Sequence, residues 1–383
     1  MAYEENYKDC VWIDFETLEN FMVDVLIASG VPQEDAQIIG DVLIESDKRG
    51  IDSHGIGRLK PIYIDRIDKG ILNPITKIEV LKDDKTTAVL DGHNGMGHVV
   101  SKRAMEMAIE KAREYGMGMV AVRNSTHYGI AGYYATMATT KGMIGITGTN
   151  ARPSIAPTNG VENMMGTNPL TFGLPTDEEF PFVLDCATSV TQRGKIEVYG
   201  RAGKALPEGW VIGLDGKTRT DTEQVLVDLT TGKAALTPLG GIGEETGGYK
   251  GYGYAMVVEI LSAALQEGSF MKALNGFDEN QQPIPYPLGH FFIAIDPARF
   301  MGLEIFKAIA GTICRQLRAS KKAPGENRIY TPGEKEWEAW LYRKAHGCPV
   351  PESLQKVMVH LRNRFKLNYD FDFEHERGKS WEN

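Results

Sequence analysis

The chain has 383 residues, 42% of them hydrophobic, which is enough for a large core and roughly two to three domains. A formal net charge of −9 argues against a general nucleic-acid or anionic-membrane binder, whose surface would be basic, and indicates a small-molecule partner. The polar N-terminus and the lack of an apolar run near about 18 residues argue against secretion and membrane insertion.

The first part of the chain is predicted to be helical. One helix is expected after Asp14, whose side chain suits an N-cap. A second helix is predicted over 32–50 and a third within 51–70, where Tyr63 lies on an apolar face. Residues 1–85 are therefore expected to form an N-terminal helical segment that also carries substrate-side residues.

From residue 86 the pattern changes to alternating strands and helices. Strands are predicted in "TTAVLDG", "GMVAVRN", "MIGITGTN" and "PFVLDCATS", with helices over 98–115 and 129–141. This rhythm predicts an α/β sheet core over 86–330. A Gly- and Asp-rich stretch (200–248) and a Pro-rich loop (275–289) interrupt it.

The last part of the chain is predicted to be helical again. After a strand in "HFFIAID" and a helix in the 300s, two helices are expected to start near residues 332 and 351. Residues 331–383 are expected to pack near the N-terminal segment. The acidic tail "YDFDFEHERGKSWEN" (369–383) is expected to be solvated or to contact a partner.

Two common signatures are missing from the sequence. No strand is followed by G-x-G-x-x-G and no Walker A motif occurs, because "GHNGMGH" and "GGIGEETGG" have the wrong spacing or context. The cysteines show no C-x-x-C spacing, so neither a zinc ribbon nor a disulfide framework is indicated, and a reducing cytoplasm fits best. They are Cys10, Cys186, Cys314 and Cys348.

His127, in "NSTHYGIAGYY", follows a predicted strand and precedes a helix. Open α/β sheets place their ligand crevices at such strand ends, so His127 is a candidate acid/base. An imidazole at a turn can also simply cap the next helix. Asp185 ends another predicted strand and could orient the imidazole, or else cap a helix.

The stretch "DSHGIGRL" holds a second group of candidates. His54 and Arg58 are four residues apart and would share a helix face. A guanidinium suits bidentate capture of a carboxylate, which indicates an acidic substrate; a surface salt bridge is the alternative. Adjacent side chains rarely point at each other, so Ser53 and His54 are not expected to form a dyad. A Ser53–His127–Asp185 triad is conceivable but lacks the G-x-S-x-G pattern.

These blocks recur in one known family. In order they are "DSHGIGRL", "NSTHYGIAGYYA", "GTNPL", "DCATS" followed by "RGK", "GGYKGYGYAMVVEIL" and "TPGE". Together they resemble the malate/L-lactate dehydrogenase family, which is unrelated to the Rossmann-type lactate and malate enzymes. The resemblance implies a non-Rossmann, mixed-sheet α/β dinucleotide-binding core with an N- and C-terminal helical layer. Residues 86–330 would then bind the cofactor and hold the catalytic residues.

The resemblance also implies an activity and partners. Members use NAD or NADP, are generally homodimers, and reduce 2-oxo acids or related imino acids reversibly; relatives include ureidoglycolate, sulfolactate and cyclic-imino-acid enzymes. A 2-hydroxy acid dehydrogenase is therefore expected, with malate favoured, NAD as the cofactor and NADP as the alternative. No nucleic acid and no membrane partner is expected.

The family's functional residues carry over to matching positions. His127 matches the acid/base histidine, and Arg58 would bind the substrate carboxylate beside His54 and Ser53. Asn150 matches a cleft-lining, substrate-side position. The residues matched to cofactor-binding blocks are Asp185, Cys186, Ala187, Thr167, Asn168, Pro169, Lys250, Gly251, Pro332 and Gly333.

Arg152 departs from the family pattern, because "TNAR" stands where "TNS" is usual. A second cation near the site could bind a second substrate carboxylate, as in malate and oxaloacetate. It could also pair with Glu162 or bind the 2′-phosphate of NADP.

Two other function classes remain open at this point. A metal-dependent enzyme could use His54, His127 and Asp185 as a two-histidine, one-carboxylate set, although no metal is expected. A non-catalytic binding protein is the weaker possibility.

Overall fold

The computed structural model describes residues 7–375. The strands are β1 (Cys10–Ile13), β2 (Glu79–Asp83), β3 (Thr87–Asp91), β4 (Met117–Ser125), β5 (Ile144–Thr149), β6 (Leu170–Leu174), β7 (Phe182–Cys186), β8 (Val211–Gly213), β9 (Ala234–Leu236), β10 (Leu288–Ile295) and β11 (Cys348–Pro351). The α-helices are α1 (Phe15–Ala28), α2 (Gln33–Lys48), α3 (Asp65–Asp68), α4 (Gly97–Tyr115), α5 (Ala131–Thr139), α6 (Arg193–Arg201), α7 (Thr222–Thr231), α8 (Gly248–Leu261), α9 (Leu303–Ala319), α10 (Glu334–His346) and α11 (Glu352–Phe365).

A seven-stranded mixed sheet forms the centre, in the order β2-β3-β4-β10-β5-β6-β7. β3 and β4 pair in parallel around the crossover helix α4, and the other neighbours in this sheet are antiparallel. β4, β5 and β7 therefore run in the same direction, so their carboxyl ends meet at one edge. The predicted mixed-sheet α/β core is confirmed.

Helices α4 and α5 cover one face of this sheet, where apolar side chains from both helices and from β3, β4 and β10 form one buried cluster. The start of α4 lies very close to the segment after β4. A Cβ on Gly97 would be 2.2 Å from the carbonyl oxygen of Thr126, which is too close for any side chain. A glycine at this position lets α4 press against the backbone next to His127.

The N- and C-terminal segments share a second core. Asp14 caps α1 by accepting the backbone N–H of Thr17, as predicted. Side chains of α1, α2 and α11 pack together in one apolar cluster, and β1 pairs with β11. The division of the chain into three units (1–85, 86–330 and 331–383) stays a prediction.

The third predicted helix is not a regular α-helix, which corrects the expectation that His54 and Arg58 share one helix face. A 3₁₀ turn (Ile56–Arg58) leads into a π-helical turn (Leu59–Ile64) and then into α3. Pro61 lies inside this segment and has no N–H to donate, so a regular i→i−4 ladder cannot continue through it. Such π-helical turns are frequent at functional sites.

Two further segments differ from the expectation. The Gly- and Asp-rich stretch contains α7 and the β8–β9 pair, which share a small apolar core with Ile155 and Ile196. In the tail, Phe371 and Phe373 are buried in the N-terminal core, so this part is not solvated; residues 376–383 lie outside the described residues. Across 7–375, none of the helices is long and apolar enough to cross a bilayer.

Candidate active site

A cavity of about 280 Å³ opens where β4, β5 and β7 end, at the sheet edge where an α/β ligand crevice is expected. His54 and His127 line it, so the structure brings together candidates that are 73 positions apart in the sequence. A second cavity of about 310 Å³ shares Ile130, Asp185 and Glu336 with the first. The two adjoining cavities form an elongated cleft.

His127 is held on one side of its ring. Its Nδ1 lies 2.7 Å from the Tyr63 hydroxyl, and the backbone N–H of Gly129 points at the same nitrogen from 3.3 Å. Nε2 is the nitrogen left for a ligand. Burial, reinforced by the neighbouring His54, lowers the pKa of His127 well below 6.5, so the ring is neutral at physiological pH and can accept a proton.

His54 lies parallel to His127, with ring centroids 5.8 Å apart. Its Nδ1 is 2.8 Å from the Ser53 hydroxyl, so the expectation that these adjacent side chains do not meet is wrong: the tight turn before Ile56 brings them together. Burial and then the charge of Arg58 lower the pKa of His54 to about 4. Arg58 donates through Nε to the Ser53 carbonyl, which fixes it at the turn that carries His54. Neither Arg58 nor Arg152 is among the residues that line the two cavities.

Asp185 lines the cleft but does not orient His127, which corrects that expectation. Its carboxylate accepts the backbone N–H of Gly132 at 2.6 Å and the Thr171 hydroxyl at 3.0 Å. It therefore caps the first turn of α5 from across the sheet. Burial raises its pKa, although these two hydrogen bonds oppose the shift. The Ser53–His127–Asp185 triad is not assembled.

The proposed metal set also fails to assemble. Within the described part of the chain, no group of three His, Cys, Asp or Glu side chains has the arrangement needed to hold a metal ion. The carboxylate of Asp185 is directed to Gly132 and Thr171 instead of toward His54 and His127. The donor set is thus unsuited to the two-histidine, one-carboxylate chemistry.

Most of the residues matched to the cofactor line the cleft. The smaller cavity is lined by Thr167, Pro169, Asp185, Cys186 and Ala187, and the larger one by Pro332 and Gly333. The Pro332 carbonyl accepts the N–H of Val183 at 3.3 Å, which attaches this loop to β7. Gly333 has φ +90° and its Cβ would be 2.8 Å from the Pro181 carbonyl oxygen, so the close approach requires glycine.

Three of the matched positions lie elsewhere. Asn168 is buried and donates to Ala255 and Glu259, which links β6 to α8. Lys250 is exposed on α8, and Gly251 packs against the backbone of Leu239. None of the three is among the residues that line the two cavities.

Asn150 lines the smaller cavity, yet its amide is already engaged. It donates to the Ser269 carbonyl at 3.0 Å and accepts the N–H of Gly289 at 2.8 Å, thereby fastening the ends of the 269–289 segment to β5. Arg152 does not pair with Glu162, which pairs with Lys272. Its guanidinium lies over the rings of Phe277 and Tyr286 instead.

Sequence reasoning missed the role of Tyr63. The pattern placed it on an apolar face, and the ring is indeed buried, but its hydroxyl meets His127 across 64 sequence positions. Burial raises its pKa, so it stays protonated. A buried tyrosine needs a hydrogen-bond partner, which is the only signal that the sequence carried for this contact.

Comparisons with known proteins agree with this geometry. Residues 13–359 match the family model of malate/L-lactate dehydrogenases. The chain is 44% identical to a malate dehydrogenase from Pyrococcus horikoshii over 94% of this chain and 96% of the relative. It is 38% identical to an L-sulfolactate dehydrogenase from Methanocaldococcus jannaschii, with 93% and 97% covered.

A solved structure of malate dehydrogenase from Entamoeba histolytica is similar as well. It superposes with a TM-score of 0.91 at 45% identity and covers 94% of this chain and 100% of the other. The dehydrogenase chemistry of such proteins requires a nicotinamide cofactor. This chain therefore belongs to the malate/L-lactate dehydrogenase family and is one of its nicotinamide-dependent dehydrogenases.

Proposed function

We propose that this protein reversibly oxidises malate to oxaloacetate with NAD, using His127 as the acid/base. The observation that carries the proposal is the His127 ring, which lines the cleft and is fixed by the Tyr63 hydroxyl. Malate dehydrogenases among the similar proteins support the choice of substrate.

His127 performs the proton step. When malate is oxidised, its Nε2 accepts the C2 hydroxyl proton; in the reverse direction the imidazolium returns that proton to the carbonyl oxygen. A nicotinamide bound in the cleft would accept the hydride from C2 of malate, or supply it to C2 of oxaloacetate in the reverse direction. The Tyr63 hydroxyl can donate to a bare Nδ1 or accept from a protonated one, so it supports the ring in both states.

Two arginines would bind the acid. Arg58 suits the C1 carboxylate, because its Nε is fixed by the Ser53 carbonyl while its other N–H groups remain available. Arg152 forms no ion pair with any acidic side chain in the described residues, and we assign it to the distal carboxylate. His54, with its lowered pKa, would contact the substrate as a neutral donor.

The cleft fits a dinucleotide. Each cavity is near the lower end of the roughly 300–1,000 Å³ typical of ligand pockets, and the two adjoin. Asp185, Cys186 and Ala187 would lie beside the nicotinamide end, and Pro332 and Gly333 along the other half. NADP is the alternative cofactor.

We also propose a cytoplasmic homodimer. All four cysteines are free thiols, which suits a reducing compartment. One face of α9 exposes an apolar stripe along four turns, and a second copy of the chain is the partner that we assign to it. The stripe consists of Ile305, Ile309, Ile313 and Leu317.

One experiment tests the activity: NADH and NADPH oxidation by the purified protein, with oxaloacetate, sulfopyruvate, pyruvate, 2-oxoglutarate and a cyclic imino acid. We expect the highest kcat/KM for oxaloacetate with NADH. A preference for sulfopyruvate would instead make the protein a sulfolactate dehydrogenase. No turnover with any acid would contradict the dehydrogenase assignment and favour a binding protein.

A further inference from the structure

Arg66 is a partly buried cation without an acidic partner. Its neighbours in sequence are engaged elsewhere, since Asp65 pairs with Lys60 at 2.8 Å and Asp68 pairs with Arg364 at 2.6 Å. Among the described residues no carboxylate lies within ion-pair distance of the Arg66 guanidinium, and none of their acceptors forms a hydrogen bond with it. Partial burial of an unpaired charge is costly, and an anion from outside the chain would offset that cost.

Arg66 lies three residues beyond Tyr63, whose hydroxyl contacts His127. Burial, followed by the charges of Arg152 and Arg58, lowers its pKa to about 10 despite the opposing influence of Tyr63. Its charge also contributes to the lowered pKa of His127. The path of the chain thus places Arg66 near His127, although it is not among the residues that line the two cavities.

The guanidiniums of Arg66 and Arg152 both lie over the aromatic ring of Tyr286. The guanidinium carbon of Arg66 is 4.7 Å from the Tyr286 ring centroid, and that of Arg152 is 5.9 Å from it. Stacking on an aromatic ring holds a guanidinium in place while its in-plane N–H groups stay free. Two like charges held this close repel each other, and an anion between them would relieve the repulsion.

The loop that carries Tyr286 has a defined conformation. Gly276 adopts φ +76°, and a Cβ there would be 2.6 Å from the Tyr286 ring. The backbone N–H of Ile284 donates to the Gly276 carbonyl at 3.0 Å, and Asp278 accepts the N–H of Gln282 at 2.8 Å. Asn150 accepts the backbone N–H of Gly289, which attaches the far end of the loop to β5. The loop is therefore held both at its turn and at its end.

We propose that Arg66 is a specificity-determining residue that binds the distal anionic group of the substrate together with Arg152, and that Tyr286 is the positioning residue for both guanidiniums. This inference rests on the proposed function. The distal group is a carboxylate or a sulfonate, since both present oxygens that a guanidinium fork can bind. The Pro-rich loop thereby takes part in selecting doubly charged acids.

The test is the selectivity of Arg66→Gln. We measure kcat/KM for oxaloacetate, sulfopyruvate and pyruvate at saturating NADH and compare ratios within one preparation, so that loss of folded protein cancels. The ratio of oxaloacetate to pyruvate should fall by roughly ten- to a hundredfold, mainly through KM. If the ratio of sulfopyruvate to pyruvate falls in parallel, the site selects substrates by the charge of the distal group. If the ratio falls for one acid alone, the site selects that acid's distal group.

The matched control is Arg113→Gln. Arg113 lies near the far end of α4, about 24 Å along the helix from Gly97. Its substitution removes one positive charge, as Arg66→Gln does. Its selectivity ratio should equal that of the unchanged protein. If Arg66→Gln leaves the ratio at that value, or lowers turnover of all three acids equally, the assignment of Arg66 is wrong.

Tyr286 is tested with a pair of variants. Tyr286→Phe keeps the ring and should keep the selectivity, whereas Tyr286→Leu should lower the oxaloacetate-to-pyruvate ratio by roughly three- to tenfold. Equal ratios in both variants would overturn the role of Tyr286. Failure of the proposed function is a separate result, because it is seen in the unchanged protein, either as a preference for another acid or as no turnover of any acid.

Discussion

At the scale of single residues, the role of His127 in proton transfer can be tested most directly. His127→Ala removes the only group that we assign to proton transfer and leaves the residues along the dinucleotide cleft in place. Turnover should fall by about 10²- to 10⁴-fold, while the NADH affinity measured by fluorescence titration stays close to its original value. A variant that keeps nearly full kcat would remove His127 from the mechanism.

The sequence predicts individual site residues better than their partners. His127, His54, Arg58 and Ser53 could be found because each lies in a short pattern at a strand end or a turn. The contact of Tyr63 with His127 could not be found, because it joins segments 64 residues apart. Asp185 shows the same limit: its place at the end of β7 was predictable, but the capped backbone N–H belongs to α5.

At the scale of elements, Arg343 connects α10 to the turn that carries Ser53 and His54. It is fully buried, and its guanidinium donates to the Asp52 carboxylate and to the Asp47 carbonyl. Arg343→Met should lower the free energy of unfolding by about 2–4 kcal/mol, toward the lower part of the range for broken buried pairs because Asp52 is partly exposed. Urea denaturation measures this change.

The neighbouring variant Lys344→Met is the control for that measurement. Lys344 is exposed on the same helix, so its loss should change the free energy of unfolding by less than about 0.5 kcal/mol. We also expect Arg343→Met to raise KM for the acid, because the His54 turn loses its anchor. Equal stability of the two variants would show that Arg343 does not support this turn.

The spacing of apolar residues predicts the long helices and strands but does not predict the irregular elements. The helices and strands of the central sheet have apolar spacing that a sequence displays directly, as in α4 and β4. The π-helical turn at Leu59–Ile64 has no such signature, because its shape follows from Pro61 and from packing against the histidines. The short strands β8 and β9 are stabilised mainly by contacts with Ile155 and α7.

At the scale of the whole molecule, buried histidines predict how stability depends on pH. His98 and His290 are fully buried, and burial lowers the pKa of each to about 3. Between about pH 6.5 and pH 3 the unfolded chain binds these protons and the folded chain does not. Each histidine therefore lowers the free energy of unfolding by up to about 1.4 kcal/mol per unit fall in pH.

Acids whose pKa is raised by burial, such as Asp47 and Asp185, oppose this trend. Burial raises the pKa of Asp47 to about 8, so the folded state gains one proton below that pH and is stabilised as the pH falls toward 4. His98→Leu separates the contributions, since neither ring nitrogen of His98 has a hydrogen-bond partner in the described residues. Denaturation at pH 7.5 and 5.0 should show a smaller loss for this variant, by about 1–2 kcal/mol; an identical loss would contradict the assigned shift.

The apolar stripe on α9 predicts the assembly state. Ile305, Ile309, Ile313 and Leu317 recur every four residues on one face, and each is about half exposed. A two-fold interface uses the same patch twice, so one charged substitution places two carboxylates in the contact. Light scattering after size-exclusion chromatography should give the mass of a dimer for the unchanged protein and of a monomer for Ile309→Asp.

Val227→Asp is the matched control, because Val227 on α7 is 55% exposed against 57% for Ile309 and lies outside the stripe. A dimer that survives Ile309→Asp, or dissociates equally in both variants, would assign the interface to another surface.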